Sequence, residues 1–330
     1  MEVLCLGGTR FLGRHLVEAL LARGHSPTLF HRGRTGAELF PEVPRIIGDR
    51  AGDLSGLDQG PASGRWDAVV DTCGYLPRLV RASAERLRDR AERCLFVSSI
   101  SVYADADQPG LEEDARLATL AELGEPEDCE TVTGETYGPL KALCEQAVTA
   151  VFGDRALNLR PGFIVGPHDP TGRFTWWLER IRRGGRFLAP GPRSAPMQWI
   201  DVRDLAAFMV RLLEAKVGGE LHVSGPLEPL TTAAAFAEIA ESLQAEVEPV
   251  WVAPEVLAER ELYGPPMPLA MPASHAGLMA VSLDRARSLG LTLRPRAETY
   301  RDTLEHAPPG SELGQGLDAE REARLLDELA

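Results

Sequence analysis

The chain has only two lysines among 35 basic residues, and one of them, Lys141, stands four residues after Tyr137 in TYGPLKALCEQAV. On a helix that spacing puts both side chains on one face. A phenol of pKa about 10 is a poor base at neutral pH, and a neighbouring ammonium stabilises the phenolate and lowers that value. A compact, movable cation has been kept here in a chain that otherwise uses arginine, and the two are not interchangeable. The pair reads as an acid/base tyrosine with its lysine; the alternative is an ordinary surface pair.

Two further sets could serve that chemistry. RCLFVSSISVYAD ends a buried-looking strand in Ser98 and Ser99, and the carboxyl ends of strands in open α/β sheets face the ligand crevice. Ser99 is therefore placed to orient a substrate oxygen, unless it is a solvated strand end. In LCLGGTRFLGRHL, Gly7, Gly8 and Gly13 follow an apolar strand and open a helix, the setting in which backbone N–H groups cradle a pyrophosphate. Roughly 20 residues on, where NAD-binding sheets place an acid for the ribose 2′-hydroxyl, this chain reads LFHRGR, with His31 and Arg32 in place of a carboxylate. Guanidinium groups suit a phosphate, so NADP is the expected cofactor and NAD the alternative. Arg10, inside the glycine spacing, is either a second arm of a 2′-phosphate clamp or a structural arginine stacked on its own loop.

Taken together, GGTRFLG, SSISVY, YGPLK and LRPGFIVGP resemble the extended and atypical short-chain dehydrogenase/reductases, the group of the NAD-dependent epimerases and dehydratases, along nearly the whole chain. The resemblance implies that Ser99 holds the reacting oxygen, Tyr137 is the general acid/base and Lys141 binds the nicotinamide ribose. It implies a cofactor site of Gly7, Thr9, Arg10, Phe11, Leu12 and Gly13, with His31 and Arg32, the adenine-flanking Asp49 and Arg50, then Thr72, Cys73 and Gly74, Ser98, and finally Pro161, Gly162 and Ile164 near the carboxamide. Cys73 would be a small filler there rather than a nucleophile.

The departures from that pattern narrow the chemistry. Arg10 replaces the usual second glycine. Ile100 and Ser101 stand where sugar-nucleotide dehydratases carry an Asp-Glu pair, and neither can perform that elimination. Met197 stands where UDP-sugar epimerases commonly present an arginine to the diphosphate, a place that Arg173, Arg186 or Arg193 would have to fill. Ile100, Ser101, Phe163, Trp176 and Gln198 are expected at the substrate, with Trp177 and Trp199 in the same segments. Aromatic walls with one amide suit a partly apolar ligand, although lobe core competes for each tryptophan. His168 and Asp169 in GPHDP read as a turn, and no metal is expected.

The elements that must position these residues follow from the pattern. EVLCLG, PTLFHR, PRIIGD, DAVVDT, RCLFVSS and ALNLRPGFIV alternate with helical stretches, which predicts a Rossmann-type α/β fold, a doubly wound parallel sheet with helices on both faces. GRHLVEALLARGH predicts a helix with Leu16, Val17, Leu20 and Leu21 on its inner face and Gly24 as its stop. Residues 167–194, dense in Gly, Pro, Arg and Trp, read as a loop-rich excursion. QWIDVRDLAAFMVRLLEA then predicts a strand feeding a helix, and GELHVSG a last sheet strand. The core is thus 1–166 plus 195–225, and a smaller, mainly C-terminal α/β substrate lobe is 167–194 plus 226–330. The lobe includes a helix in TTAAAFAEIAESLQ, a strand in VEPVWV and a short loop in APPGSELGQG.

Composition sets the outer limits. A net charge of -14 opposes phosphate backbones and anionic lipid, so neither nucleic acid nor membrane is an expected partner. No run reaches the ~20 apolar residues of a membrane span, and Val3–Leu6 leads straight into the glycine loop, unlike a signal peptide. The five cysteines, Cys5, Cys73, Cys94, Cys129 and Cys144, form no CxxC and read as reduced thiols of a cytoplasmic protein. The expectation is an NAD(P)-dependent oxidoreductase acting on a small, partly apolar carbonyl or carbinol, with a homodimer as the assembly such relatives often form. An epimerase that retains its NAD(P) is the alternative, and a non-catalytic nucleotide- or RNA-binding relative the second.

Overall fold

A computed structural model describes residues 1–61, 64–307 and 314–329. Its strands are β1 (Glu2–Leu6), β2 (Ser26–His31), β3 (Arg45–Ile47), β4 (Trp66–Asp71), β5 (Ala91–Val97), β6 (Ala156–Pro161), β7 (Phe163–Val165), β8 (Gly185–Pro190), β9 (Trp199–Asp201), β10 (Gly219–Val223) and β11 (Val247–Val252). Seven of them form one sheet in the order β10-β6-β5-β4-β1-β2-β3, with every neighbouring pair parallel. These seven are the strands that the alternating apolar runs predict. Parallel strands covered on both faces read as continuous apolar runs, and all six residues of β6 are indeed buried.

The chain winds outward from β1 to β3, then crosses to β4 on the other side of β1. That reversal opens a crevice at the carboxyl ends of β1 and β4, where open α/β sheets bind their ligands. Helix α1 (Phe11–Ala22) buries Leu16, Val17 and Leu20 beside the sheet. Leu21, expected on that face, is 37% exposed, because one residue turns it about 100° from Leu20. Helices α2 (Pro77–Leu87) and α3 (Tyr137–Phe152) cover the opposite face through Val80, Ala84, Leu87, Cys144, Ala147 and Val148.

The stretch expected to be loop-rich contains α4 (Arg173–Arg182) and β8. The arginines and glycines of that stretch hid a helix whose Phe174, Trp177, Leu178 and Ile181 all turn inward. Helix α5 (Val202–Glu214) follows β9 and packs with α1. The last part of the chain adds α6 (Thr232–Ser242), α7 (Pro254–Glu259), α8 (Asp284–Ser288), α9 (Arg296–Glu305) and α10 (Ala319–Glu328). Here a second apolar core gathers Phe174, Trp177, Phe187, Phe236 and Tyr300 around the parallel pair β8–β11. The APPGSELGQG loop falls largely outside the described residues. Among the described residues, no helix is long and apolar enough to cross a membrane.

Candidate active site

A cavity of about 840 Å³ opens along the carboxyl ends of the central strands. At one end the chain leaves β1 through Gly7 and Gly8, at φ +107° and +102°, a region closed to most side chains. Gly13, one turn into α1, has no room for a side chain, since a Cβ there would lie 2.7 Å from the Gly8 nitrogen. The glycines thus let the start of α1 approach the loop. Arg10 caps α1 without any side-chain bond to its first-turn N–H groups; Gly13 N–H donates to the Arg10 carbonyl at 2.9 Å, which leaves the N–H groups of Phe11 and Leu12 for a ligand. Thr9, Phe11 and Leu12 also line the cavity.

Farther along, Thr72 donates to the Leu6 carbonyl at 3.0 Å, tying the end of β4 to β1. Cys73 opens on the cavity, yet burial and the nearby Asp71 carboxylate push its thiol up to about 11. It is a thiol at neutral pH, in keeping with the filler role. Gly74 does not line the cavity; a Cβ there would meet Phe96 at 2.6 Å, and its carbonyl serves Lys141.

The Lys141 ammonium donates to the carbonyls of Gly74, at 2.7 Å, and Val97, at 2.6 Å. Burial pushes it down to about 8. An ammonium has three donors, so one N–H remains for the cavity that Lys141 also lines. Tyr137 is half-buried, and burial, followed by Tyr75, raises its phenol above the ordinary value, while Ser99 and Arg173 pull the other way. Lys141 therefore does not dominate Tyr137 in this arrangement, contrary to the simple pairing that their spacing suggests, because its head is drawn between the ends of β4 and β5. Ser99 accepts from Ser101 N–H at 3.1 Å and donates to the Ser101 hydroxyl at 3.1 Å. Ser98 lines the cavity with its buried hydroxyl unpartnered among the described residues, and Pro161, Gly162, Phe163, Ile164 and Ile100 close the same end.

At the other end, Arg32 and Arg34 are exposed to the cavity beside His31. Neither they nor Arg10 has an ion pair or side-chain hydrogen bond among the described residues. His31 accepts from Gly33 N–H at 2.9 Å, and its buried Nε2 has no partner among the described residues. Asp49 accepts from Ala51 N–H at 3.0 Å. Arg50 is committed elsewhere: it grips Asp71 with two nitrogens and donates to Ser83 at 2.6 Å. Burial alone would raise the Asp71 carboxyl, but the Arg50 guanidinium outweighs it and holds that carboxyl low. The expected adenine-flanking arginine is thus first of all a strut under the Thr72–Gly74 loop, although it still borders the cavity.

Two expected substrate residues lie elsewhere. Trp176 is buried in the second core, edge-on to Trp177 at 4.7 Å. It sits on the inner side of α4, a helix that the composition concealed. Gln198 clamps the backbone of Val281, donating at 3.2 Å and accepting at 3.1 Å, which consumes its amide. Trp177, Trp199 and Met197 also belong to the second core. Asp169 closes a turn on Gly166 and accepts twice from Thr171. Tyr75 went unnoticed in the sequence; it is 50% exposed and faces Tyr137 with ring centroids 6.5 Å apart. Its position just after Thr72–Gly74 was the one available signal. Among the described residues, no group of three or more His, Cys, Asp and Glu could hold a metal.

The family model for the NAD-dependent epimerase/dehydratase family matches residues 66–223, spanning Asp71, Ser99, Tyr137 and Lys141. That match covers just under half of the chain. A 3-diazoavenalumate denitrifying reductase from a Streptomyces species is 29% identical over 325 residues, 92% of this chain and 99% of that protein. The chloroplast stem-loop binding protein of 41 kDa b of Arabidopsis thaliana is 27% identical over 240 residues, 68% of this chain but only 58% of that protein. Among solved structures, a Thermus thermophilus UDP-glucose 4-epimerase in complex with NAD superposes with a TM-score of 0.62 at 22% identity, covering 93% of this chain and 98% of that one. The human epimerase family protein SDR39U1 with NADPH gives 0.62 at 18% identity, covering 93% and 100%. These likenesses show that the chain shares the Rossmann-type α/β fold of those proteins.

Proposed function

We propose that this protein is a member of the NAD-dependent epimerase/dehydratase family and an NADP(H)-dependent oxidoreductase that moves a hydride to or from the carbonyl or carbinol carbon of a small, partly apolar substrate. The observation that carries this reading is one cavity holding the glycine cradle, the Ser99 and Tyr137 hydroxyls, and three unpaired arginines where a 2′-phosphate would lie. The residues fit a dinucleotide: the cradle has no room for Cβ atoms, the start of α1 carries no side-chain cap, and Ser98 offers a buried hydroxyl unpartnered among the described residues. When bound, the nicotinamide supplies or accepts the hydride.

Gly7, Gly8 and the start of α1 bind the pyrophosphate, and Arg32, with Arg34 and Arg10, holds the 2′-phosphate. The free N–H of Lys141 meets the nicotinamide ribose. Ser99 orients the substrate oxygen. Tyr137, whose phenol stays protonated across neutral pH, donates its proton to that oxygen during reduction and takes it back during oxidation. Curated relatives named as reductases support this direction.

The epimerase reading is the runner-up, since relatives of the same fold are named as epimerases. Against it stands Met197, buried in the second core where an arginine would be needed. A thermal-shift titration of NADP(H) against NAD(H) tests the cofactor assignment. Cofactor that survives gel filtration, with no net NADPH consumption on any carbonyl probe, would favour the epimerase. No cofactor-induced rise in melting temperature would favour a binding protein without this chemistry.

A further inference from the structure

The substrate end of the cavity is walled by Ile100, Phe163, Ile164 and Pro170 and carries the hydroxyls of Ser99, Ser101 and Tyr137. Its one cation not committed to backbone carbonyls is Arg173, the first residue of α4. The Arg173 guanidinium carbon lies 5.3 Å from the centroid of the Phe163 ring, and its Nε donates to the Thr171 hydroxyl at 3.2 Å. No carboxylate among the described residues lies within ion-pair distance of it. Asp169 is near enough to feel its charge, but both Asp169 oxygens are taken by Thr171, at 2.8 and 2.9 Å.

Arg173 shares this lack of a carboxylate with Arg10, Arg32 and Arg34 at the other end of the cavity, and differs in it from the arginines of the packed cores. Arg160, Arg180, Arg203, Arg294 and Arg296, all partly or wholly buried, are each bonded to a carboxylate. Arg173 instead keeps its two terminal nitrogens without a partner among the described residues, above an aromatic plate. A planar donor fork held over an apolar surface matches a carboxylate. A nucleoside diphosphate would need more donors. The other candidates for that duty are absent from the cavity lining, with Arg193 lying over the Trp251 ring at 5.4 Å. The Arg173 charge is also felt at Tyr137, so an anion held there would lie beside the reacting centre.

We infer that the substrate carries a carboxylate, which Arg173 holds against Phe163 while the carbonyl or carbinol carbon lies at Ser99 and Tyr137. This rests on the oxidoreductase reading of the same cavity. The apolar walls then take the hydrocarbon part of an oxo or hydroxy acid.

The test compares acids with their neutral isosteres on the NADPH-saturated protein. Benzoate, phenylacetate and octanoate are titrated against benzamide, phenylacetamide and octanamide, with UDP as a further probe. At least one acid should bind about tenfold tighter than its amide, the value of one charge-assisted contact. Arg173→Gln should abolish that preference and Arg173→Lys keep part of it, while both retain the NADPH-induced rise in melting temperature, which shows that they fold. Equal binding of all acids and amides, a preference that persists in Arg173→Gln, or UDP binding that depends on Arg173 would each overturn the assignment. Separately, NADPH oxidation is followed with 4-formylbenzoate and its methyl ester. If neither is reduced, that result counts against the reductase reading, whereas the acid-amide comparison still decides the role of Arg173.

Discussion

The Lys141 ammonium donates to the carbonyl of Gly74 at 2.7 Å, across 67 positions of sequence. Together with the Val97 bond it holds the ends of β4 and β5 beneath the proposed nicotinamide site. Burial pushes Lys141 down to about 8, so its charge is present at pH 7 and lost as pH rises through that value. An anionic cofactor is attracted only by the charged form. The NADPH dissociation constant should therefore be flat from pH 6 to about 7 and rise above about 8. Titrations at several pH values check this, and Lys141→Met should bind more weakly with that inflection gone. An unchanged profile in the variant would remove Lys141 from the cofactor site.

Tyr137→Phe removes the proposed proton donor and little else, because the ring contact with Tyr75 at 6.5 Å survives. Reduction of any accepted carbonyl should slow by about 10²- to 10⁴-fold. The melting-temperature rise with NADPH should persist. Activity close to wild type would assign the proton to another group.

Arg32, Arg34 and Arg10 line the cavity without ion-pair or side-chain hydrogen-bond partners among the described residues. Replacing Arg32 with Ser should remove a charge-assisted contact of about 1.5–3 kcal/mol to a 2′-phosphate, weakening NADPH about 10- to 150-fold while sparing NADH. Arg34→Ser and Arg10→Gly, measured the same way, show how the clamp is shared. If Arg10→Gly leaves the NADPH-to-NADH ratio untouched, Arg10 has no part in it. A ratio unmoved by all three changes would falsify the NADP preference.

Beneath α3 lies a buried ion pair, Arg160 with Glu145, at 2% and 3% exposure. Arg160 also donates to the Tyr103 hydroxyl and to the Glu113 carbonyl, each at 2.7 Å. Glu145→Ala would strand a buried guanidinium, and urea unfolding should report a loss of roughly 3–5 kcal/mol. A loss below about 1 kcal/mol, the range of an exposed pair, would mean that water reaches Arg160 in the variant.

The seven sheet strands and α3 were legible because their signals are local: β-branched runs, helical spacing, and glycines where a side chain has no room. The same locality makes the glycine loop and the Tyr137–Lys141 spacing readable, since the first is the short connection from β1 into α1 and the second spans about one turn of α3. What the chain order could not convey was which way charged and aromatic groups turn. Arg50 was legible as a residue of the cavity, but not its grip on Asp71, formed across 21 positions. Trp176 and Gln198 look like cleft residues by type; packing sends one into the second core and spends the other on Val281.

By itself, then, the sequence determined the doubly wound sheet, the location of the nucleotide loop and the presence of a tyrosine with its lysine, because backbone propensity and helical periodicity act over a few residues. Only the tertiary structure decided that Lys141 turns to two carbonyls and that Tyr75 stands opposite Tyr137. It also decided that Arg173, unlike Arg160 or Arg180, borders the cavity with no carboxylate partner among the described residues. Those outcomes depend on burial and on competition for hydrogen-bond partners, and both are properties of segments brought together from distant parts of the chain.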